Sequence, residues 1–441
     1  MLHRRKIAIW ICCAFFICNL TPSLNAEPIS VGSRPVLPEP DTSLVPTVNI
    51  AKASQWPEGK SPKVMAGFTI NAFASQLNHP RWLYVLPNGD VLVAQSNYRS
   101  KKKAKLKDWI AAFFMNKAGA GIASPDKIVL LRDSDGDGKA DIVSDFLTHL
   151  NAPIGMALIG RHLYVANTDA LVRFEYETGA LSIDQNLHPA ELITDLPAQD
   201  PNSHWTKNIL ASADGKKIYV AVGSNSNIAE HGMQLEQERA AILEVDLASK
   251  QKRVFASGLR NPVGLAWNPS TQQLWCAVNE RDELGDDLVP DYISSVNDGD
   301  FFGWPWIYYE KHRDPRVKTP MPAGLNLRAP DYALGAHVAA LGLVFNDKSN
   351  LPAAFKNGAL VSQHGSWNRS VRSGYKVVFV PFEHGKPNGL PSDFVWGFVE
   401  QNEAYGRPVG LAFDIQGNVL IADDVGNRVW RVSPQSSRVG Q

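Results

Sequence analysis

Polar side chains with acid–base or anion-binding chemistry recur directly before short apolar strands of this chain. They are Arg81, Asn151, His204, Arg260 with Asn261, His337 and Arg407. Guanidinium groups bind carboxylates through two parallel hydrogen bonds, so arginines that the fold brings together would bind a small anion. Histidine titrates near neutral pH, which makes His204 a candidate general base. Two alternatives stay open, because each arginine could pair with a neighbouring carboxylate and a single histidine is more often structural than catalytic.

A second chemical pattern is the acidic run 133–141, which reads DSDGDGKAD. Asp133, Asp135 and Asp137 stand at positions 1, 3 and 5 of a calcium-binding loop, and Gly136 provides the sharp turn between them. The position of the usual bidentate glutamate holds Ser144, which predicts weak affinity. The run therefore predicts a calcium site, with an acidic hairpin turn as the alternative.

Charge and motifs exclude several other classes of protein. The 441 residues carry 44 basic and 44 acidic side chains, so the sequence predicts no nucleic-acid partner. There is no P-loop, and the 119–121 stretch (GAG) lacks the third glycine of a dinucleotide-binding turn.

The first 26 residues have the three parts of an export signal. Arg4–Lys6 are basic, 7–18 are apolar, and Ala26 is a small residue at the expected cleavage position. The apolar run is shorter than the ~20 residues that a membrane span needs, although a membrane anchor is the alternative. Cleavage would leave Cys276 as the only cysteine and would place the protein in the periplasm or outside the cell, without a membrane span. Residues 27–60, rich in proline and serine, are predicted to be an extended leader.

From residue 61 to 435 one pattern recurs six times: an apolar strand, a Gly/Asn/Asp/Pro turn and a second apolar strand. The first strands begin near Pro80, Pro153, Lys207, Pro262, Ala340 and Pro408. Such units are β-hairpins, and their spacing leaves room for two more strands each. The pattern predicts an all-β fold, a six-bladed β-propeller of four-stranded blades, in preference to a β-sandwich. In a propeller the polar positions named above would meet at one mouth of the central channel.

One insertion, 97–124, interrupts the first repeat and is predicted to be helical. Its lysines precede Trp109, Ile110, Phe113 and Phe114, which would share one face of a helix. Such a basic amphipathic helix could lie on a membrane surface or against a partner, but packing against the propeller is favoured.

These residues together resemble the PQQ-dependent glucose/sorbosone dehydrogenase family, most closely its sorbosone dehydrogenase-like branch. The resemblance covers roughly residues 64–433. It rests on five motifs in order: Leu259–Leu265, Asn279–Asp287, Gly303–Pro305, His364–Ser370 and Gly406–Pro408. It implies a six-bladed propeller that holds PQQ and calcium at the channel mouth.

The resemblance also implies roles for individual residues. His204 matches the general base, and the expected cofactor contacts are Arg260, Asn261, Arg407, Arg369 and Tyr309. Asp287 lies about where the family often has a calcium ligand, in a second acidic run that could instead be a solvated loop.

The implied activity is oxidation of a sugar or a related alcohol or aldehyde hydrate, with hydride transfer to the quinone. An external electron acceptor, a cytochrome or a quinone, would then reoxidise the cofactor. Because a fold does not determine function, a calcium-dependent lactonase-type hydrolase and a non-catalytic ligand-binding propeller are the rival predictions.

Overall fold

The computed structural model describes residues 30–42, 47–97, 117–119, 121–347 and 349–435. Within these ranges nearly all of the regular secondary structure is β-strand, which confirms the predicted all-β class, and two 3₁₀ helices occur at Met233–Glu236 and Ala353–Phe355. In chain order the strands are β1 (Val31–Gly32), β2 (Lys52–Ala53), β3 (Lys63–Val64), β4 (Phe68–Ala74), β5 (Pro80–Val85), β6 (Val91–Gln95), β7 (Lys127–Arg132), β8 (Ile142–Leu147), β9 (Met156–Ile159), β10 (His162–Ala166), β11 (Ala170–Glu175), β12 (Glu191–Asp195), β13 (Lys207–Ala211), β14 (Lys217–Val222), β15 (Ala241–Asp246), β16 (Lys252–Ser257) and β17 (Pro262–Trp267). They continue with β18 (Leu274–Val278), β19 (Pro290–Val296), β20 (Asp300–Phe301), β21 (Ile307–Tyr308), β22 (His312–Arg313), β23 (Asn326–Leu327), β24 (Tyr332–Ala336), β25 (Ala340–Phe345), β26 (Gly358–Gln363), β27 (Lys376–Glu383), β28 (Lys386–Pro387), β29 (Ser392–Trp396), β30 (Val399–Glu400), β31 (Glu403–Ala404), β32 (Pro408–Phe413), β33 (Val419–Asp423) and β34 (Arg428–Pro434).

Six antiparallel runs of four strands dominate the described part of the chain. They are β5–β6–β7–β8, β9–β10–β11–β12, β13–β14–β15–β16, β17–β18–β19–β24, β25–β26–β27–β29 and β32–β33–β34–β4. Shorter strands extend three of these sheets, and β2–β31–β30 and β21–β22 form small separate sheets. The sixth run joins the two ends of the described chain, because β4 pairs with β34 in register Ala72↔Trp430.

The first strands of successive sheets lie side by side and run in the same direction. A methyl group at Gly264 of β17 would lie 2.5 Å from the carbonyl oxygen of Leu341 in β25. One at Gly410 of β32 would lie 2.8 Å from the carbonyl oxygen of Arg81 in β5. This close approach explains why glycine recurs at the third position of these strands. Contacts between β5, β9, β13, β17, β25 and β32 form a closed succession, with β32 again next to β5.

Because these strands are parallel and in register, their first residues share one end of the molecule. We call it the strand-start end, and the opposite end, where the first hairpin turns lie, the turn end. Val263, Leu341 and Val409, each the second residue of a first strand, lie in one buried cluster with Ile154, which precedes β9. The cluster forms a floor beneath the polar residues that precede each strand.

The described residues of the predicted leader pack against the sheets. β1 pairs with β24, β2 pairs with β31, and the buried Trp56 donates its Nε1 hydrogen to Asp423 at 2.8 Å. The predicted signal, 1–26, lies outside the described residues, and so does most of the predicted helical insertion, including its apolar face. No helix within the described ranges has the length and hydropathy needed to cross a bilayer.

Candidate active site

His204 lies just before β13 and presents one basic nitrogen. Its Nδ1 is 2.8 Å from the carbonyl oxygen of Ser224, which can only accept a hydrogen bond. Nδ1 therefore carries the proton, and Nε2 keeps its lone pair. Burial, together with the positive charge of Arg260, holds the pKa of His204 well below its usual range. The ring is thus neutral at pH 7, as a general base must be.

Glycine at position 223 allows His204 and Asn261 to approach each other. A methyl group there would lie 2.3 Å from Asn261 Oδ1 and 2.5 Å from His204 Cβ, so no larger residue fits. Asn261 is buried, and its Oδ1 has no hydrogen-bond donor among the described residues. The structure therefore brings together two residues that the sequence analysis placed in different repeats.

Arg260 is buried beside them, only 5% exposed, in a network around Asp282. Its Nη2 donates to Asp282 Oδ2 at 3.1 Å and to Asn227 Oδ1 at 3.0 Å. Burial would raise the pKa of Asp282, but the hydrogen bond from His337 and the charge of Arg260 hold it below the usual range. Asp282 is therefore ionised. Arg260 Nε has no acceptor within the described part of the chain.

Arg407 and Arg81 belong to a second network, centred on the buried Asp424. Asp424 Oδ2 accepts hydrogen bonds from Arg81 Nη1 at 2.5 Å and from His364 Nε2 at 2.9 Å. Arg407 lies over the ring of Tyr375, with 4.7 Å between its guanidinium carbon and the ring centre. Its Nη1 donates only long bonds of 3.4 Å, to the carbonyl oxygens of residues 364 and 365. Its Nε and Nη2 have no acceptor among the described residues.

Both networks lie at the strand-start end. The guanidinium of Arg81 lies 5.7 Å from the ring centre of Trp205, the residue that follows His204. Buried N–H groups without acceptors are costly, because each has lost its water and gained no partner. The arrangement can therefore bind an anionic ligand next to a neutral base.

Three other predicted site residues have different surroundings. Arg369 Nη2 pairs with Asp287 Oδ1 at 2.9 Å, and the Asp287 side chain is 47% exposed. Tyr309 is buried in an apolar cluster with Leu284 and Leu288, and its hydroxyl donates to the carbonyl oxygen of Pro290 at 3.3 Å. The predicted cofactor contacts of Arg369 and Tyr309, and calcium binding by Asp287, stay predictions.

The acidic loop lies far from His204, at the turn end. Carboxylate oxygens of Asp133, Asp135 and Asp137 come within 4.8 Å of one another. The loop joins β7 to β8 and lines a groove of about 490 Å³ with the turns at Gly89 and Ile415. An ion bound there would act on this turn and not on the site at His204.

Sequence reasoning missed His364 and Asp424, and it placed Asp282 only in an acidic run that could be a metal site or a solvated loop, without its role of orienting Arg260. His364 begins a motif that carried the family resemblance, but it was given no role. Asp424 directly follows the apolar strand β33, so its place at the end of a buried strand was the available signal.

Comparison with known proteins identifies the family of this chain. The TrAA12-like family matches residues 62–300 and 323–435, and the chain therefore belongs to that family. An uncharacterised protein of Borreliella burgdorferi is 28% identical over 291 residues, 64% of this chain and 76% of that protein. The PQQ-dependent pyranose dehydrogenase of Coprinopsis cinerea is 23% identical over 358 residues, 67% of this chain and 47% of the enzyme. The chain thus spans about half the length of that enzyme.

Solved structures share the fold. The calcium structure of Trichoderma reesei Carbohydrate-Active Enzymes family AA12 has a TM-score of 0.69 at 16% identity and covers 88% of this chain and 99% of that one. The holo PQQ domain of the Coprinopsis cinerea pyranose dehydrogenase has a TM-score of 0.67 at 20% identity, with 88% and 100% covered. The PQQ-bound aldose sugar dehydrogenase of Streptomyces coelicolor has a TM-score of 0.55 at 16% identity, with 84% and 99% covered. The resemblance to PQQ-dependent sugar dehydrogenases is confirmed, while the comparisons do not single out the sorbosone branch.

Proposed function

We propose that this protein is an oxidoreductase that oxidises a sugar, or a related alcohol or aldehyde hydrate, with PQQ and calcium. We further propose that the six four-stranded runs are the blades of a β-propeller, with the strand-start end as its channel mouth. The closed succession of first strands supports this architecture.

One observation carries the functional proposal. Within the described residues, the buried nitrogens Arg81 Nε, Arg260 Nε and Arg407 Nε and Nη2 have no hydrogen-bond acceptor. All three arginines lie at the strand-start end, and Arg260 is near enough to the neutral His204 to lower its pKa. PQQ is a polycarboxylate quinone, and carboxylates match guanidinium donors in charge and geometry. The residues present therefore fit this cofactor.

Bound PQQ would supply the hydride acceptor, a chemistry that protein side chains lack. His204 Nε2 would accept the proton of the substrate hydroxyl, while the carbon that carries this hydroxyl gives up a hydride. Ser224 orients the ring by accepting the Nδ1 hydrogen. Arg260 would provide a fixed positive charge near His204, and fixed charge of this kind stabilises developing negative charge without reorganisation.

Calcium binding is proposed at two places. Asp287 would be a ligand near the site, and calcium there would have to displace Arg369 from its 2.9 Å ion pair. The loop of Asp133, Asp135 and Asp137 would be a structural site at the turn end, because its three carboxylates converge.

Export to the periplasm or the outside of the cell is proposed from the signal pattern of residues 1–26. Electrons would pass from the reduced cofactor to an external cytochrome or quinone.

The test is reconstitution of the purified protein with PQQ and calcium, followed by a dye-linked assay over a panel of sugars. Quinone absorbance that stays with the protein, together with sugar-dependent dye reduction, is the expected result. Hydrolysis of lactones with calcium alone would instead establish the lactonase-type rival. Bound PQQ without turnover on any sugar would leave a ligand-binding propeller.

A further inference from the structure

His337 is held in an unusual position beside the Arg260 network. It lies between β24 and β25 with a φ of +59°, in the left-handed region that most residues avoid. Its side chain is buried. Strained backbone of this kind persists only where surrounding contacts over-determine it, and it clusters at functional sites.

Both ring nitrogens of His337 face hydrogen-bond acceptors. Nε2 is 2.9 Å from the carbonyl oxygen of Gly285, and Nδ1 is 3.1 Å from Asp282 Oδ1. A carbonyl oxygen only accepts, and the Asp282 carboxylate, paired with Arg260, is ionised and also only accepts. Each nitrogen must therefore carry a hydrogen, which makes the ring an imidazolium.

The charge of His337 changes the charge of the whole network. Arg260 is positive and Asp282 negative, so with a neutral His337 these groups would sum to zero. With an imidazolium the network carries one net positive charge. We propose that His337 is a cationic positioning residue, which holds Asp282 and keeps the Arg260 side of the site attractive to an anionic ligand. This inference rests on the proposed function and adds the residue that sets the charge at its cofactor site.

The charged groups around His337 favour the imidazolium. Burial lowers the pKa of His337, but the hydrogen bond and charge of Asp282, the Gly285 carbonyl and the charge of Asp291 raise it above the usual value. Arg260 binds the other carboxylate oxygen of Asp282, Oδ2, and Arg316 binds its backbone carbonyl oxygen. Glu283 follows Asp282 in the chain. Because the pKa is raised, the positive charge is present at pH 6.5 and is lost as the pH rises through the higher folded value.

Asp291 titrates in the same range, since burial raises its pKa to about 7. Ionisation of Asp291 would add a negative charge as the pH rises and would thus also lower the net charge of the network. A variant that changes His337 alone separates the two groups.

The experiment measures the dissociation constant of PQQ, in the presence of calcium, by quenching of tryptophan fluorescence from pH 6 to pH 9. His337→Asn is the informative variant, because asparagine tolerates the left-handed backbone and keeps one donor but carries no charge. We expect it to weaken binding at pH 6 by roughly tenfold, the order expected for one nearby charge at an effective dielectric constant of about 20. We also expect the variant to lose the part of the pH dependence that His337 contributes and to keep the part that comes from Asp291.

His384→Asn is the matched control. His384 also has a positive φ, +50°, but its side chain is 94% exposed. It should bind PQQ as the wild type does at every pH. A His337→Asn variant with wild-type affinity at pH 6 would overturn the inference.

A second measurement needs no ligand. Nitrogen-15 spectra of the histidine rings in the free protein, recorded with rising pH, should show one ring that keeps both nitrogens protonated above pH 6.5, and His337→Asn should remove that signal. A neutral His337 ring would overturn the inference even if PQQ binds. If the ring is cationic but the wild type binds no PQQ at any pH, the proposed function fails and the ligand-binding part of this inference fails with it.

Discussion

At the scale of single residues, two histidines of the same site are driven to opposite charge states. His204 meets a carbonyl group on one nitrogen and the charge of Arg260, so it stays neutral. His337 meets an acceptor on each nitrogen, one of them a carboxylate, so it is protonated. Because their surroundings differ, His204 can accept a proton, whereas His337 contributes a positive charge.

Replacing the base should separate chemistry from binding. His204→Ala should lower turnover by about 10²–10⁴, the usual contribution of a general base, while PQQ binding changes little. Arg407→Ala should instead weaken PQQ binding, because its free Nε and Nη2 hydrogens are lost. Steady-state assays and fluorescence titration measure the two effects. His188→Ala, at a half-exposed histidine, serves as the control. Unchanged turnover in His204→Ala would rule out the mechanism.

The lowered pKa of His204 predicts the pH profile of the reaction. The neutral ring is the active form, and it persists below pH 6.5 because burial and Arg260 disfavour the charged form. We expect kcat/KM to stay constant from pH 8 to below 6.5 and to fall only at more acid pH. The rate should be measured at saturating PQQ, so that cofactor binding does not enter. An acid limb centred at or above pH 6.5 would contradict this role for His204.

At the scale of elements, the ends of the strands divide the molecule into two chemical regions. The residues before the first strands carry arginines and histidines, whereas the β7–β8 turn carries three converging carboxylates. In that turn the carboxylate of Asp133 accepts hydrogen bonds from the backbone N–H groups of Gly136 and Gly138. Backbone hydrogen bonds thus shape the loop, and its three carboxylates lie close to one another.

A calcium ion in this loop should protect it locally. We expect calcium to slow proteolysis within residues 130–145 and to raise the melting temperature. At a hundredfold excess of calcium over Kd, binding would raise the free energy of unfolding by up to about 2.7 kcal/mol. Asp135→Asn should weaken the local protection, because it removes one negative charge from the loop while its amide oxygen can still accept the hydrogen bond from the N–H of Asp137. Asp214→Asn, in the turn between β13 and β14, should leave it intact. Equal proteolysis with and without calcium in the wild type would identify the loop as a plain turn.

At the scale of the whole molecule, the chain holds its ends together through one sheet. β4 near the start pairs with β34 near the end, and Trp430 of β34 is buried among residues of both. The leader adds a second tie, since Trp56 and Trp430 both donate hydrogen bonds to Asp423. Asp423 in turn accepts the backbone hydrogen of Arg407, so closure of the molecule also positions a site residue.

Removing β34 should therefore prevent folding of the whole and not merely of one sheet. A chain ending at Asn427 would expose the edges of β33 and β4 and would lose the buried side chains of Val429, Trp430 and Val432. Burial of each large apolar side chain contributes about 1.5–3 kcal/mol to the free energy of unfolding. We expect calorimetry to show no cooperative transition. Ile415→Ser, at an exposed turn of the same sheet, should unfold as the wild type does. A truncated chain with an unchanged melting temperature would show that this closure is dispensable.

Local signals in the sequence determined the all-β class and the positions of the hairpins. Apolar strands beginning at Pro80, Lys207, Pro262, Ala340 and Pro408 appear in the structure at those residues. The second repeat differs, because its strand starts at Met156 instead of Pro153. Strand and turn preferences depend on neighbouring residues only, so a single sequence is enough to read them.

Only the tertiary structure decided which side chains meet at the site. Asp424 pairs with Arg81 across 343 residues and with His364 across 60, and Asp282 joins His337 across 55. No local pattern encodes such pairs, because they form only when strands from different sheets converge at one end. The sequence could name His204, Arg260 and Arg407 as candidates from residue type and repeat position. The protonation of His204 and the unpaired buried nitrogens of Arg260 and Arg407 depend on burial and on distant partners, which folding alone brings into contact.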